Sequence, residues 1–209
     1  MFGLSKEEIR LFKSLDTSGK IQNFINKIPI NFEENGETCY SPRMVLKKNK
    51  CHCVEGAILA ALILRVNGYP PLIVDLTAND TDFDHVIAVF EEDGKFGAIS
   101  KTNHYSLRYR DPIYYSIKEL VMSYFHEYFN DKGEKTLRSY SDVVDLTMFD
   151  HENWMISEKE IWQIPEYLAE IEHIQILTEN QKNILRKAYE IEIDAGNIVE
   201  WKGKAKENL

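Results

Sequence analysis

Residues 57–64 read AILAALIL, with no polar position to mark an outward face. A helix that is apolar on every side is enclosed by protein. Asn67-Gly68 is a good stop signal, and Pro70 cannot continue the helix. The pattern therefore predicts a buried helix from Cys53 to about Asn67. Three β-like runs follow at 72–76, 85–90 and 96–100, and Asp93-Gly94 between the last two predicts a tight hairpin. Upstream, Ser5 with Glu8 forms a capping box that opens a short helix, and a second helix is expected from about 20 to 27, before Pro29. Downstream, Ser116 with Glu119, Ser157 with Glu160 and Thr178 with Gln181 predict helices near 117–129, 158–172 and 179–194. The strands cluster instead of alternating with helices, so the expected class is α+β. No linker sets the helical C-terminal third apart, and no internal repeat is present, so the chain reads as one domain over 1–209.

Composition narrows the function classes. The chain has 209 residues, 44% hydrophobic and 28% charged, in the range of an ordinary globular protein. Its net charge of −9 argues against nucleic acid as a partner, because phosphate binding needs clustered cations. No apolar run approaches the roughly 18 residues of a membrane span. The opening MFGLSKEEIRLF turns charged at once, unlike a signal peptide. Three cysteines cannot all pair within one chain, so a reducing, cytoplasmic setting is expected.

The chemistry concentrates at KCHCVEGA, residues 50–57, where two thiols and an imidazole stand at the mouth of the buried helix. A helix N-terminus carries partial positive charge and free N–H groups, which lower the pKa of a cysteine placed there. Cys53 opens the helix and Cys51 precedes it, so the dipole favours Cys53 as nucleophile. The first-turn N–H groups would face an oxyanion formed beside it. The base is expected from His85 at the start of a strand, with His52 too close in sequence to swing round easily. A two-residue turn at Asp93-Gly94 sets Glu92 against Lys95 and His85 against Thr102. Ser100 then shares the His85 face within diagonal reach. Asn103 would share it only if a bulge shifted the register by one. Asp84 points to the opposite face of a regular strand.

Cys53, Ala57, Leu64-Arg65, Gly68 and Pro70, followed by HVIAVFEEDGKFGAIS from His85, resemble the transglutaminase-like superfamily, a branch of the papain-like cysteine enzymes. The resemblance spans about residues 50 to 103. It implies a papain-like core, over about 38–130, in which the Cys helix packs on an antiparallel sheet. The resemblance is silent on the extra N-terminal helices and on the helical C-terminal extension over about 131–209. It also implies a Cys–His–Asp triad with Cys53 as nucleophile and His85 as general base, acting on a peptide, amide or other acyl substrate as a hydrolase or acyltransferase without a cofactor. At the family's Asp position this chain has Ser100. A hydroxyl can fix the imidazole tautomer, but it cannot stabilise the imidazolium as a carboxylate does. The alternative is a non-catalytic binding module with a degenerate triad.

The remaining motifs read as structural. Asp80-x-Asp82-x-Asp84 with Glu91 has calcium-loop spacing, but His85 stands where the sharp turn needs Gly. Cys51, His52, Cys53 and His85 lack the second ligand pair of a zinc site, so no metal is expected. HYSLRYRDPIYYS, 104–116, suggests a packed loop with arginines paired to Asp111 or to helix C-termini, or a subsite for a substrate carboxylate. SYFHEYF, 123–129, is an aromatic face expected in the core, and YEIEIDAG near the end a solvated one.

Overall fold

The structure, a computed structural model, describes residues 1–202. Helices α1 (Lys6–Ser14), α2 (Ser18–Lys27), α3 (Pro42–Lys48) and α4 (Cys53–Val66) come first, then strands β1 (Leu72–Ala78), β2 (His85–Glu92), β3 (Lys95–Ser100) and β4 (Arg110–Tyr114). Helix α5 (Ile117–Met122) leads to β5 (Leu137–Ser141), β6 (Val144–Asp145) and a 3₁₀ segment over Leu146–Glu152. The chain continues through α6 (Gln163–Glu170), β7 (His173–Gln175), α7 (Glu179–Asn183) and α8 (Glu190–Gly196). The fold is mixed α+β. Seven strands form one open antiparallel sheet in the order β4-β3-β2-β1-β5-β7, with β6 also pairing with β1. Asp93 and Gly94 both take positive φ, 50° and 72°, as the twist of a two-residue hairpin requires, and Glu92 pairs with Lys95.

The sheet separates two cores. On one face α4 packs against Val86, Ala88, Phe90 and Ile99. Ile58, Leu59, Leu62, Ile63 and Leu64 are all fully buried there. Each such side chain contributes roughly 1.5–3 kcal/mol of burial, which is why an all-apolar helix is stable only inside. Arg65, at the far end of α4, forms two 2.6 Å bonds to Asp150 and stacks over Phe2 at 4.2 Å. The other face carries Ile87, Val89 and Ala98 beneath Leu120, Tyr124 and Tyr128.

Several elements differ from the sequence expectation. The segment beyond residue 130 is not purely helical. It adds β5, β6 and β7 to the sheet, and 203–209 lie outside the described residues. The helix expected over 158–172 starts only at Gln163. Pro165 is tolerated in a first turn but would break a helix begun at 158, so Ser157 makes a local turn with Lys159 instead. The helix expected over 179–194 is interrupted where the Ala188 N–H bonds to the Gly133 carbonyl at 2.8 Å. The one expected over 117–129 ends at Met122, although Tyr124, Phe125 and Tyr128 are buried as an aromatic face should be. Both α3 and β4 went unforeseen. Ser41 caps α3, and Pro42 at its first position is the signal that was available.

Beside β7, the buried Asp75 of β1 meets His173 at 3.1 Å and Thr77 at 3.1 Å. Burial, then the charge of Asp84, pushes its carboxyl up to about 6 against the bonds from His173 and Thr77. The native state therefore holds this proton more tightly than the unfolded chain. The group's contribution to stability is greatest below about pH 4 and falls as pH rises through 6. Asp75→Asn should accordingly gain stability relative to the parent between pH 4.5 and 7.5, as read from urea midpoints.

Candidate active site

Cys53 is the first residue of α4 and is partly exposed, whereas Cys51 is fully buried. All three cysteines are free thiols. The imidazoles of His52 and His85 are the groups that act on the Cys53 thiol. Its packed surroundings push the thiol up, but the neighbouring His52 and His85 rings outweigh burial and bring it down to about 5. Cys51 moves the opposite way. Burial raises it to about 12, beyond what the nearby Lys101 offsets.

Close packing sets the helix tip in place. A Cβ on Gly56, in the first turn of α4, would lie 2.4 Å from the Lys101 Cβ, so only glycine lets α4 approach the end of β3 this closely. Lys101 is itself buried, and its ammonium donates to the Ile25 and Ile28 carbonyls at the C-terminus of α2. That is the end of a helix that favours a cation. The tip of α4 thereby reaches the rim where β3 ends and β2 begins.

His85 opens β2 and is 6% exposed. By alternation it lies on the Ile87 and Val89 face, not the face under the body of α4. The Gly56–Lys101 contact brings the tip of α4 to the rim where β2 begins, so Cys53 and His85 share that rim and not the face under the body of the helix. Ile87 pairs with Ser100, so the register carries no bulge, and the diagonal contact places His85 Nε2 2.7 Å from Ser100 Oγ. Ser100 Oγ in turn lies 2.5 Å from the Leu107 carbonyl. A carbonyl only accepts, so the single hydroxyl proton goes to Leu107 and the serine accepts from Nε2–H. His85 then has only Nδ1 free to act as a base. Ser100 fixes the tautomer as a carboxylate would, without its charge.

Two supports of Ser100 had no sequence signal. Gln22 of α2 reads its backbone like a neighbouring strand. The Ser100 N–H donates to Gln22 Oε1 at 2.9 Å, and Gln22 Nε2 donates to the Ser100 carbonyl at 2.8 Å. Leu107 has a φ of 56°, unfavourable for a side chain with a Cβ, and its N–H is held by Glu127, which also pairs with Arg110. Arg110 thus pairs with Glu127 and Arg108 with Glu200, neither with Asp111, and both are engaged inside the protein.

Other candidates fall elsewhere. Asn103 does not reach His85; without a bulge its amide pairs with the Trp201 backbone, at 3.0 and 2.8 Å. Asp82 bonds to Thr136, and Asp84 accepts from the Ala78 N–H, so both fasten their own loop. His52, set aside on sequence grounds, precedes the helix with extended backbone, φ −94° and ψ −170°, and its Nε2 lies 2.8 Å from the Thr38 carbonyl. Among the described residues, no group of three or more His, Cys, Asp or Glu side chains is arranged to hold a metal ion, and no helix is long and apolar enough to cross a membrane.

The Ser100–Leu107 bond makes a direct prediction. Ser100→Asp sets a carboxylate against a carbonyl that needs a donor, replacing a hydrogen bond by repulsion at a cost of about 1–3 kcal/mol. The thermal midpoint should fall by roughly 3–10 °C. An unchanged midpoint would show that Leu107 does not depend on this hydroxyl.

No family model matches this chain, and no curated protein matches its sequence significantly.

Proposed function

We propose that the protein is a cysteine enzyme of transglutaminase-like type, with a papain-like core, that performs acyl chemistry on a peptide, amide or thioester. The observation that carries this reading is the free Cys53 thiol at the first position of a buried helix whose tip reaches the rim that holds the His85–Ser100 pair. The Cys53 thiolate attacks the substrate carbonyl carbon, and the carbonyl electrons move onto oxygen. First-turn N–H groups of α4, which have no intrahelical acceptor, stabilise that oxyanion. Collapse of the intermediate expels the amine, which takes from His85 Nδ1 the proton that left the Cys53 thiol, or expels the thiolate of a thioester, which takes the same proton, and leaves an acyl-cysteine thioester. Water or a second amine then attacks the thioester while His85 Nδ1 takes its proton, which regenerates Cys53 and releases acid or amide. The reaction needs no cofactor, and the free thiols suit a reducing compartment such as the cytoplasm.

A second reading is favoured by one feature, the neutral Ser100 at the third position: a groove of the same ancestry that binds without turning over. The two separate on exposure to a small activated acyl ester or thioester. The enzyme reading expects a stoichiometric burst of leaving group and an acyl mass increment on the Cys53 peptide that hydroxylamine removes. Folded protein that forms no adduct on Cys53 overturns it in favour of binding.

A further inference from the structure

We propose that the C-terminal segment 196–201 positions the base of the site: by clamping the loop between β3 and β4, it holds the Leu107 carbonyl against Ser100 and so fixes which nitrogen of His85 carries the proton. For its effect on turnover this rests on the reading of Cys53 and His85 as a reacting pair; the effect on the His85 ring does not.

The polar chain that starts at His85 ends at Leu107. Ser100 accepts from Nε2–H at 2.7 Å because its own proton is donated to the Leu107 carbonyl at 2.5 Å. With that carbonyl withdrawn, the hydroxyl is free to turn and donate to Nε2 instead. The proton of the neutral ring then moves to Nδ1, and the nitrogen that acts as base is blocked. The place of one backbone oxygen thus decides whether His85 can take a proton.

Leu107 does not keep that place unaided. Its φ of 56° persists in a residue with a Cβ only where the surroundings over-determine it. On one side Glu127 accepts the Leu107 N–H at 3.1 Å. On the other, residues 103–108 are laced to segment 196–201. The Asn103 amide donates to the Trp201 carbonyl at 3.0 Å and accepts from the Trp201 N–H at 2.8 Å. The Asn103 carbonyl accepts from the Glu200 N–H at 2.9 Å, and the Tyr105 N–H donates to the Ile198 carbonyl at 3.0 Å. His104 Nδ1 donates to the Gly196 carbonyl at 2.8 Å, and His104 forms an antiparallel bridge with Val199. Arg108, next to Leu107, is held by the Glu200 carboxylate at 2.9 Å. His104 and Tyr105 are exposed, so these bonds and not burial fix the loop there. The segment that supplies them lies almost a hundred residues further along the chain, yet its contacts stop one residue short of the carbonyl that sets Ser100.

The test reads the His85 ring by nitrogen NMR at pH 9 in full-length Cys53→Ala protein, where no thiolate competes for the proton. Nε2 is expected to show the shift of a protonated nitrogen and Nδ1 that of a bare one. Two further substitutions are then added in turn. Asn103→Ala removes the amide clasp. Glu200→Pro removes both the N–H that holds the Asn103 carbonyl and the carboxylate that holds Arg108. In either variant the two ring shifts should move towards each other as the Nδ1–H form becomes populated. With Cys53 retained, hydrolysis of the acyl-enzyme formed from an activated thioester should slow at least about fivefold, a part of the 10²–10⁴ that a general base supplies. A segment that merely stabilises the fold would leave the ring shifts where they are, and unchanged shifts in a folded variant overturn the proposal. So does an Nδ1–H ring before either substitution is made, which needs no variant of the loop to fold. Ring shifts that move in a protein whose Cys53 forms no acyl adduct defeat the enzyme reading and leave the clamp standing.

Discussion

Cys53→Ser is expected to abolish acyl transfer, a loss of at least about a thousandfold, while Cys51→Ser keeps most of the parent rate. Both thiols belong to one tripeptide, so the contrast isolates environment from sequence. Cys53 lies at the helix tip, where two imidazoles bring it down to about 5. Cys51 is fully buried, and burial pushes its thiol up to about 12, beyond what the nearby Lys101 offsets. A serine hydroxyl at 53 would keep the size and most of the hydrogen bonding, but an alcohol is far too weak an acid to ionise there. The measurement is turnover of an activated thioester, with circular dichroism to show that both variants are folded. Equal losses from the two substitutions would contradict the assignment of Cys53.

Gly56→Ala is expected to destabilise the protein. The added methyl would lie 2.4 Å from the Lys101 Cβ and 3.0 Å from its Cγ, with Cys51 Sγ at 3.6 Å. The crowded atom is a Cβ tied to the backbone, not the free end of a side chain, and the Lys101 ammonium is anchored on the α2 carbonyls. Relief requires α4 to lift from the strand rim. Alanine's better helix propensity returns less than about 1 kcal/mol, whereas overpacking costs about 1–3 kcal/mol. The thermal midpoint should fall by roughly 3–10 °C. The thiol pKa should rise as well, since the same lift draws Cys53 away from His85. A variant as stable as the parent would show that the contact at Gly56 is not what seats the helix.

How far the sequence was legible depended on the range of the interactions involved. The buried helix, the first three strands and the Asp93-Gly94 turn are local signals. Because a two-residue turn fixes register, the diagonal approach of Ser100 to His85 followed from counting residues. The polar supports did not. Gln22 is 78 residues from Ser100, and the Leu107 carbonyl arrives through a loop held by Glu127 and Arg110. His52 was dismissed because it adjoins Cys53 in the chain, yet its ring is among the groups that lower the thiol. The C-terminal third misled for a related reason. Capping boxes are real at Thr178 and Ser116, but a cap marks only where a helix starts. The run from Thr178 is interrupted by a tertiary contact, the Ala188 bond to Gly133, and the strands β5 and β7 belong to the sheet through pairings distant in sequence.

The central claim, that Cys53 stands ready as a thiolate, is tested most directly by its ionisation. The ultraviolet thiolate absorbance of the parent, less that of folded Cys53→Ser, gives the titration of this one sulfur across pH. The account predicts a midpoint near pH 5. A midpoint at the ordinary cysteine value of about 8.5 would contradict it.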